Sequence, residues 1–198
     1  MIDLASTRFI AVDTETTGLE PRKGARLTEI AAVTVLSGKI LETEIFQELI
    51  DPGCAIPKAI SKMTGITDAM VKDKPKVKEV LERFIGWVHP EAILVFQNAS
   101  FDLCFLDFFS DKNQLTTLSN LYCDTMELYR SLYEGKSGLD TILSRLEIVL
   151  PYEMRHRALG DALGTALVFS RLADEIGSER LESYLHRRSG WESQPWVW

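Results

Sequence analysis

FIAVDTETTGLEP, residues 9–21, sets the terms for the rest of the chain. Four apolar residues, Phe9 to Val12, run without a break and then meet Asp13 and Glu15. No alternate position in the run is polar, so it reads as a strand buried on both faces and therefore central in its sheet. Side chains two apart on a strand share a face, so the two carboxylates project together while Thr14 points away. Adjacent anions beside a buried strand repel with little screening. A shared cation resolves the conflict, and Mg²⁺ favours carboxylate and water oxygens. A solvated turn at a strand end is the competing reading, and TTGL is itself turn-like.

Outward from this stretch the periodicity predicts a mixed α/β domain. Strands are expected at about 30–36 and 40–50, around the turn Ser37-Gly38-Lys39, then at 92–96 and more weakly in NLYCDT. Helices are expected near 58–63 and 77–88, and FDLCFLDFF, apolar almost all round, reads as a buried helix. Further helices are expected near 126–133, 139–146, 157–173 and 178–187. A hairpin-linked set of strands followed by strand–helix alternation implies a mixed central sheet flanked by helices. The end of its first strand lies where open α/β sheets place their ligands.

The 198 residues, 45% hydrophobic and 26% charged, suit one globular domain with an additional terminal element. No apolar run reaches the roughly 18–20 residues that span a bilayer. The start MIDLASTRF lacks a signal-peptide pattern. Cys54, Cys104 and Cys123 have neither disulfide-framework nor metal-ligand spacing, so a reduced, cytoplasmic location is expected. A net charge of −7 argues against gripping long duplex nucleic acid through many phosphates. It leaves room for a site that holds one or two phosphates through metal ions.

Three later acids and bases bear on Asp13 and Glu15. Asp102 opens the apolar helix, where a helix-dipole role would suffice, but Asn98 and Ser100 are also available as caps. Asp161 lies in a helical pattern between Gly160 and Gly164, whose cost of roughly 1 kcal/mol each points to close packing. His156 stands between Arg155 and Arg157; neighbouring like charge favours the neutral ring, which can take a proton from water. His89 and His186 read as surface residues.

VDTETTG, NASFD and HRALGDA occur in that order and resemble the three motifs of the DEDDh (DnaQ-like) family of 3′–5′ exonucleases, to which the proofreading epsilon subunit of bacterial DNA polymerase III belongs. The similarity covers about residues 7–173, including IPKAISKMTGITDAMV and the pair Asp124-Thr125. It implies a ribonuclease H-like fold, with Asp13, Glu15, Asp102 and Asp161 as ligands of two Mg²⁺ or Mn²⁺ ions and His156 as general base. Two such ions roughly 3.5–4 Å apart clamp the attacking and leaving oxygens of an in-line phosphoryl displacement. By the same resemblance Thr16, Thr17, Gly18 and Leu19 line the terminal nucleotide's pocket, Leu19 and Phe101 pack on a base, and Asn98 hydrogen-bonds the strand. Arg155 and Arg157 are candidates for the phosphate backbone, with a solvated loop as the safer reading of either. The chain departs from many relatives at Gln97, where they carry histidine, and at Thr64, where they carry histidine before Gly-Ile-Thr.

The resulting expectation is a metal-dependent exonuclease releasing nucleoside 5′-monophosphates from 3′ ends of single-stranded or frayed DNA, in proofreading or repair. An exoribonuclease trimming RNA or short oligonucleotides is the alternative within the class. A non-catalytic nucleic-acid- or polymerase-binding module is the alternative outside it, and retention of all four carboxylates and the histidine weighs against that. Residues 1–175 are assigned to the exonuclease domain and 176–198 to a C-terminal helix and a Trp-rich tail, WESQPWVW. That tail either folds back on its own domain or docks a DNA polymerase subunit or a second protomer.

Overall fold

The computed structural model describes residues 2–151 and 156–187. The Trp-rich tail and Arg155 lie outside them. Strand β1 (Arg8–Thr16) is longer than its apolar run suggests and carries both carboxylates within it. Its neighbours are β2 (Leu27–Leu36) and β4 (Ile93–Phe96); β3 (Lys39–Leu49), β5 (Leu121–Asp124) and the two-residue β6 (His186–Arg187) complete the order β3-β2-β1-β4-β5-β6. β1 is thus internal, antiparallel to β2 and parallel to β4. The β2–β3 turn places Ser37 and Gly38 both at positive φ, 53° and 70°, the backbone twist that a tight hairpin requires.

Helices cover both faces, as the mixed α/β reading expects. They are α1 (Lys58–Thr64), α2 (Asp68–Val71), α3 (Val77–Trp87), α4 (Ala99–Lys112), α5 (Thr125–Leu132), α6 (Leu139–Arg145), α7 (Ala158–Ile176) and α8 (Ser178–Leu181). Alternation along β1 splits the core into two layers. Phe9 and Ala11 pack with α7 residues such as Ala162, Ala166 and Phe169, and the Phe9 and Phe169 ring centroids are 4.6 Å apart. Ile10 and Val12 pack with Phe84 of α3 and Leu103, Phe105 and Phe109 of α4. All four residues of the opening run are essentially inaccessible, which accounts for its unbroken apolarity.

Gly164 shows the close packing expected of a glycine inside α7. A Cβ there would lie 3.0 Å from Leu150 Cδ1 and 3.5 Å from Leu139 and Leu143 of α6, so the missing side chain makes room for Leu150 between α6 and α7.

The expected helix over 178–187 is corrected. α8 ends at Leu181, a 3-10 turn follows at Glu182–Tyr184, and His186–Arg187 pair antiparallel with β5. Helical propensity yields to an open sheet edge whose backbone groups accept a partner. His186 is correspondingly no free surface residue: its Nε2 lies 2.6 Å from Glu127 Oε2, and its ring is 5.3 Å from that of Tyr122. His89 is exposed, as expected. Among the described residues no helix is long and apolar enough to cross a membrane.

Candidate functional site

Asp13 and Glu15 lie on the α7 face of β1, and α7 starts with Asp161 in its first turn. The three carboxylates come together with an oxygen of each within 4.8 Å of the others. Asp102 reaches the same strand end from the opposite face, in the first turn of α4. There it is only 2% exposed and accepts a 2.7 Å hydrogen bond from the hydroxyl of Thr14. The alternation that points Thr14 away from its neighbours is what delivers it to Asp102. The four acids therefore form a trio plus one behind.

Their proton affinities record the crowding. Burial first, and then the charges of Asp102, Glu15 and Asp161, hold Asp13 well above the usual carboxylate range. Glu15 is pushed up to about 8 by burial, with Asp161, Glu29 and Asp102 adding to the effect and Arg157 opposing it. Asp102 rises to about 7 through burial, restrained by the hydrogen bond from Thr14. Desolvated carboxylates this close are a donor set suited to a hard, oxygen-seeking divalent cation, which lowers the cost of ionising them together. The trio is a candidate metal-binding site.

His156 stands at the mouth of this cluster. It is exposed, adopts the left-handed region at φ 58°, and donates its backbone N–H to Asp161 Oδ1 at 3.3 Å. A non-glycine residue in that conformation is uncommon and is held there by its surroundings.

The turn after β1 is fixed from within. Thr16 Oγ1 donates to the Gly18 carbonyl at 2.6 Å, and Thr17 exchanges bonds with the Arg26 backbone through its N–H and its hydroxyl. A register shift between Glu15 and Thr16 bends the strand into this turn. Thr17, Gly18 and Leu19 border a groove of about 490 Å³ whose far wall is Cys54, Ala55 and Pro57. Leu19 is 70% exposed beside it, a large apolar side chain open to a ligand. Phe101 is half-buried and packs 5.2 Å from the Phe105 ring.

Asn98 is the N-cap residue of α4 at φ 69°, but neither it nor Ser100 caps the helix. That work falls to Asp124 at the end of β5, which accepts from the N–H groups of Asn98 and Ala99 and also caps α5 through Met126. The two departures from the family pattern have local partners. Gln97 bonds the Thr125 hydroxyl and donates to the Ser137 carbonyl at 2.8 Å. Thr64 donates to the Ile60 carbonyl and accepts from Ile66 N–H, closing α1.

One residue at the site is absent from the sequence reading. Glu29 of β2 lies directly opposite Glu15 in the strand register, is fully buried, and is paired with Arg157. Arg157, expected at the phosphate backbone or in a solvated loop, is turned inward instead. A lone glutamate inside the apolar run LTEIAAV was the available signal.

The wider comparisons agree with this architecture. The chain is 39% identical over 181 residues to a DNA polymerase III subunit epsilon-like protein of Rhodobacter capsulatus, covering 89% of this chain. It is 37% identical over 170 residues to the PolC-type DNA polymerase III of Caldanaerobacter subterraneus, covering 85% of this chain. It spans only 25% and 12% of the length of those two relatives. Among solved structures, Exonuclease X in complex with 5′ overhanging duplex DNA superposes with a TM-score of 0.71 at 28% identity, over 90% of this chain and 97% of that one. The nuclease domain of 3′hExo, a DEDDh family member, shares the fold with a TM-score of 0.75 at 18% identity, over 96% of this chain and all of that one (100%). The sequence model of the RNase T exonuclease family matches residues 10–169. With that match over most of its length, a mixed sheet of ribonuclease H-like form and the acidic cluster at its central strand, the chain belongs to the RNase T exonuclease family, within the DEDDh superfamily.

Proposed function

We propose that this chain is a metal-dependent 3′–5′ exonuclease that hydrolyses the terminal phosphodiester of single-stranded or frayed DNA and releases nucleoside 5′-monophosphates. The observation that carries the reading is the convergence of Asp13, Glu15 and Asp161 within 4.8 Å at the end of a buried strand, with Asp102 immediately behind. Asp13, Glu15 and Asp161 would hold one divalent ion, and Asp102 would join them for a second. Mg²⁺ or Mn²⁺ fits these oxygen donors. Ions held by these carboxylates would supply an activated water and offset the charge on the leaving 3′-oxygen.

His156 acts as general base, its exposed ring taking the proton of the attacking water. The Thr16–Leu19 turn seats the terminal nucleotide, with Leu19 and Phe101 against its base and Asn98 on the strand. The relatives named as parts of DNA polymerase III and as a DNA-bound exonuclease support DNA as substrate. Residues 1–175 form the catalytic unit in this reading, and 176–187 extend it by packing Leu181 into its core.

Matched 3′- and 5′-labelled DNA and RNA oligonucleotides, incubated with Mg²⁺ or Mn²⁺ and with chelator, test this directly. Stepwise shortening from the 3′ end that requires metal, prefers DNA and vanishes in Asp13→Ala is expected. Cleavage that survives the chelator, or an Asp13→Ala variant as active as wild type, overturns it. His156→Ala should slow hydrolysis about 10²–10⁴-fold with Mn²⁺ still bound; loss of Mn²⁺ binding would show the histidine to be a ligand instead.

A further inference from the structure

Glu29 sits beside two site carboxylates, Asp13 and Glu15, yet is fully buried and saturated. Its Oε1 accepts from Gln47 Nε2 and Arg157 Nη2, each at 2.8 Å. Its Oε2 accepts from Arg157 Nε at 3.0 Å and from the backbone N–H of Ala158 at 3.2 Å. A carboxylate offers about four lone-pair sites, so Glu29 has none left for an ion. This separates it chemically from the trio it adjoins.

Arg157 is the N-cap residue of α7, and its carbonyl accepts the N–H of Asp161 at 3.0 Å. One residue thus joins Asp161 through its backbone and Glu29 through its side chain. The bidentate fork fixes orientation as well as distance. Ala158 N–H, one of the unpaired donors at a helix start, is also satisfied by Glu29. The turn from His156 to Asp161 is therefore fastened to β2 at the position opposite Glu15.

We infer that Glu29 and Arg157 are positioning residues for the hydrolysis proposed above: together they clamp the start of α7 onto β2, so that Asp161 and His156 meet Asp13 and Glu15 in one geometry. The inference rests on the proposed reaction only for its catalytic readout. Metal affinity and amide exchange of the protein without DNA report on the clamp independently.

Glu29→Gln keeps the shape and removes the charge; Arg157→Gln removes the fork; Arg157→Lys keeps a cation and loses the bidentate geometry. Mn²⁺ titration without DNA, kcat and KM on a single-stranded DNA oligonucleotide, thermal unfolding, and Ala158 amide exchange in the metal-free protein are measured for each. Expected are a loss of Mn²⁺ affinity and of kcat of about 10–100-fold in Glu29→Gln and in Arg157→Gln. KM should stay within about twofold, as for a defect felt only in the transition state. The double variant should be no worse than either single change, as for two halves of one device. Arg157→Lys should recover part of both losses, and Ala158 exchange should quicken in the metal-free Glu29→Gln protein.

Unchanged Mn²⁺ affinity and kcat with only a lowered Tm would overturn the inference, leaving a purely structural ion pair. A raised KM confined to the Arg157 variants, with Glu29→Gln at wild-type values, would overturn it in favour of a phosphate contact. If wild type shows no metal-dependent hydrolysis, the functional reading fails, while the Mn²⁺ and exchange data still decide the clamp.

Discussion

Two helices each bring one aspartate to the end of β1, and a carboxylate from a neighbouring strand anchors the start of each. The two anchors differ in kind. Asp124, half-buried at the end of β5, holds α4 by accepting backbone N–H groups alone. Glu29, fully buried in β2, holds α7 with a guanidinium as well as an amide. The difference follows from what surrounds each anchor. Glu29 adds its charge to Asp13 and Glu15, raising both, and a further buried anion there is tolerable only with a cation in contact. Asp124, nearer solvent, needs no such partner.

The largest test of this asymmetry removes the aspartates themselves. Asp161→Asn takes a member of the close trio, and Asp102→Asn removes the acid held by Thr14. Either change should reduce hydrolysis at least about 10³-fold, since bound metal supplies several kcal/mol of transition-state stabilisation. Mn²⁺ binding should separate them: Asp161→Asn loses the tightest ion, whereas Asp102→Asn keeps it and loses a weaker one. Equal effects on both ions would mean that the four acids act as one undivided site.

A second, smaller effect lies in pH. Glu15 moves from 4.5 to about 8 on folding, so the folded metal-free chain holds this proton more tightly than the unfolded one. The associated stability is fully present below pH 4.5 and is lost as pH rises through about 8. The Tm of the metal-free protein should fall across that window by on the order of 10 °C. Mn²⁺ should restore it increasingly as pH rises, because binding displaces the protons. A flat Tm profile without metal would contradict the crowding at the trio. On the α4 side, Thr14→Val removes the hydrogen bond that restrains Asp102, so weaker-ion binding should shift to higher pH while the tight ion is unaffected.

How much of this was legible beforehand depends on the distance over which each residue acts. Asp13 and Glu15 could be read from two-residue periodicity, because strand geometry is local. Asp102, Asp161 and His156 were legible as motif members, which record the outcome of folding without its cause. The central place of β1 followed from four apolar residues that alternate with nothing polar. Glu29 was hidden because an acid in an apolar strand declares its burial but not its partner, which lies 128 residues away. The capping of α4 by Asp124 was hidden for the same reason, since Asn98 and Ser100 satisfied every local rule for that task. The break after Leu181 was hidden because the edge of β5, which captures His186 and Arg187, exists only once the sheet has formed.

The smallest effect sharpens the comparison most. Asp124→Asn leaves one carbonyl oxygen where two carboxylate oxygens had accepted three backbone N–H groups, from Asn98, Ala99 and Met126. Losing part of a cap costs about 1 kcal/mol, and in a chain of this length that lowers Tm by about 2–4 °C. α4 contributes no member of the Asp13–Glu15–Asp161 trio, so the affinity of the tight Mn²⁺ ion should not change. Glu29→Gln, by contrast, should cost Mn²⁺ affinity for the reason α7 does contribute one. If Asp124→Asn weakened the tight ion as much as Glu29→Gln does, the anchors would be equivalent, and the guanidinium at Glu29 would have to be explained by charge balance alone.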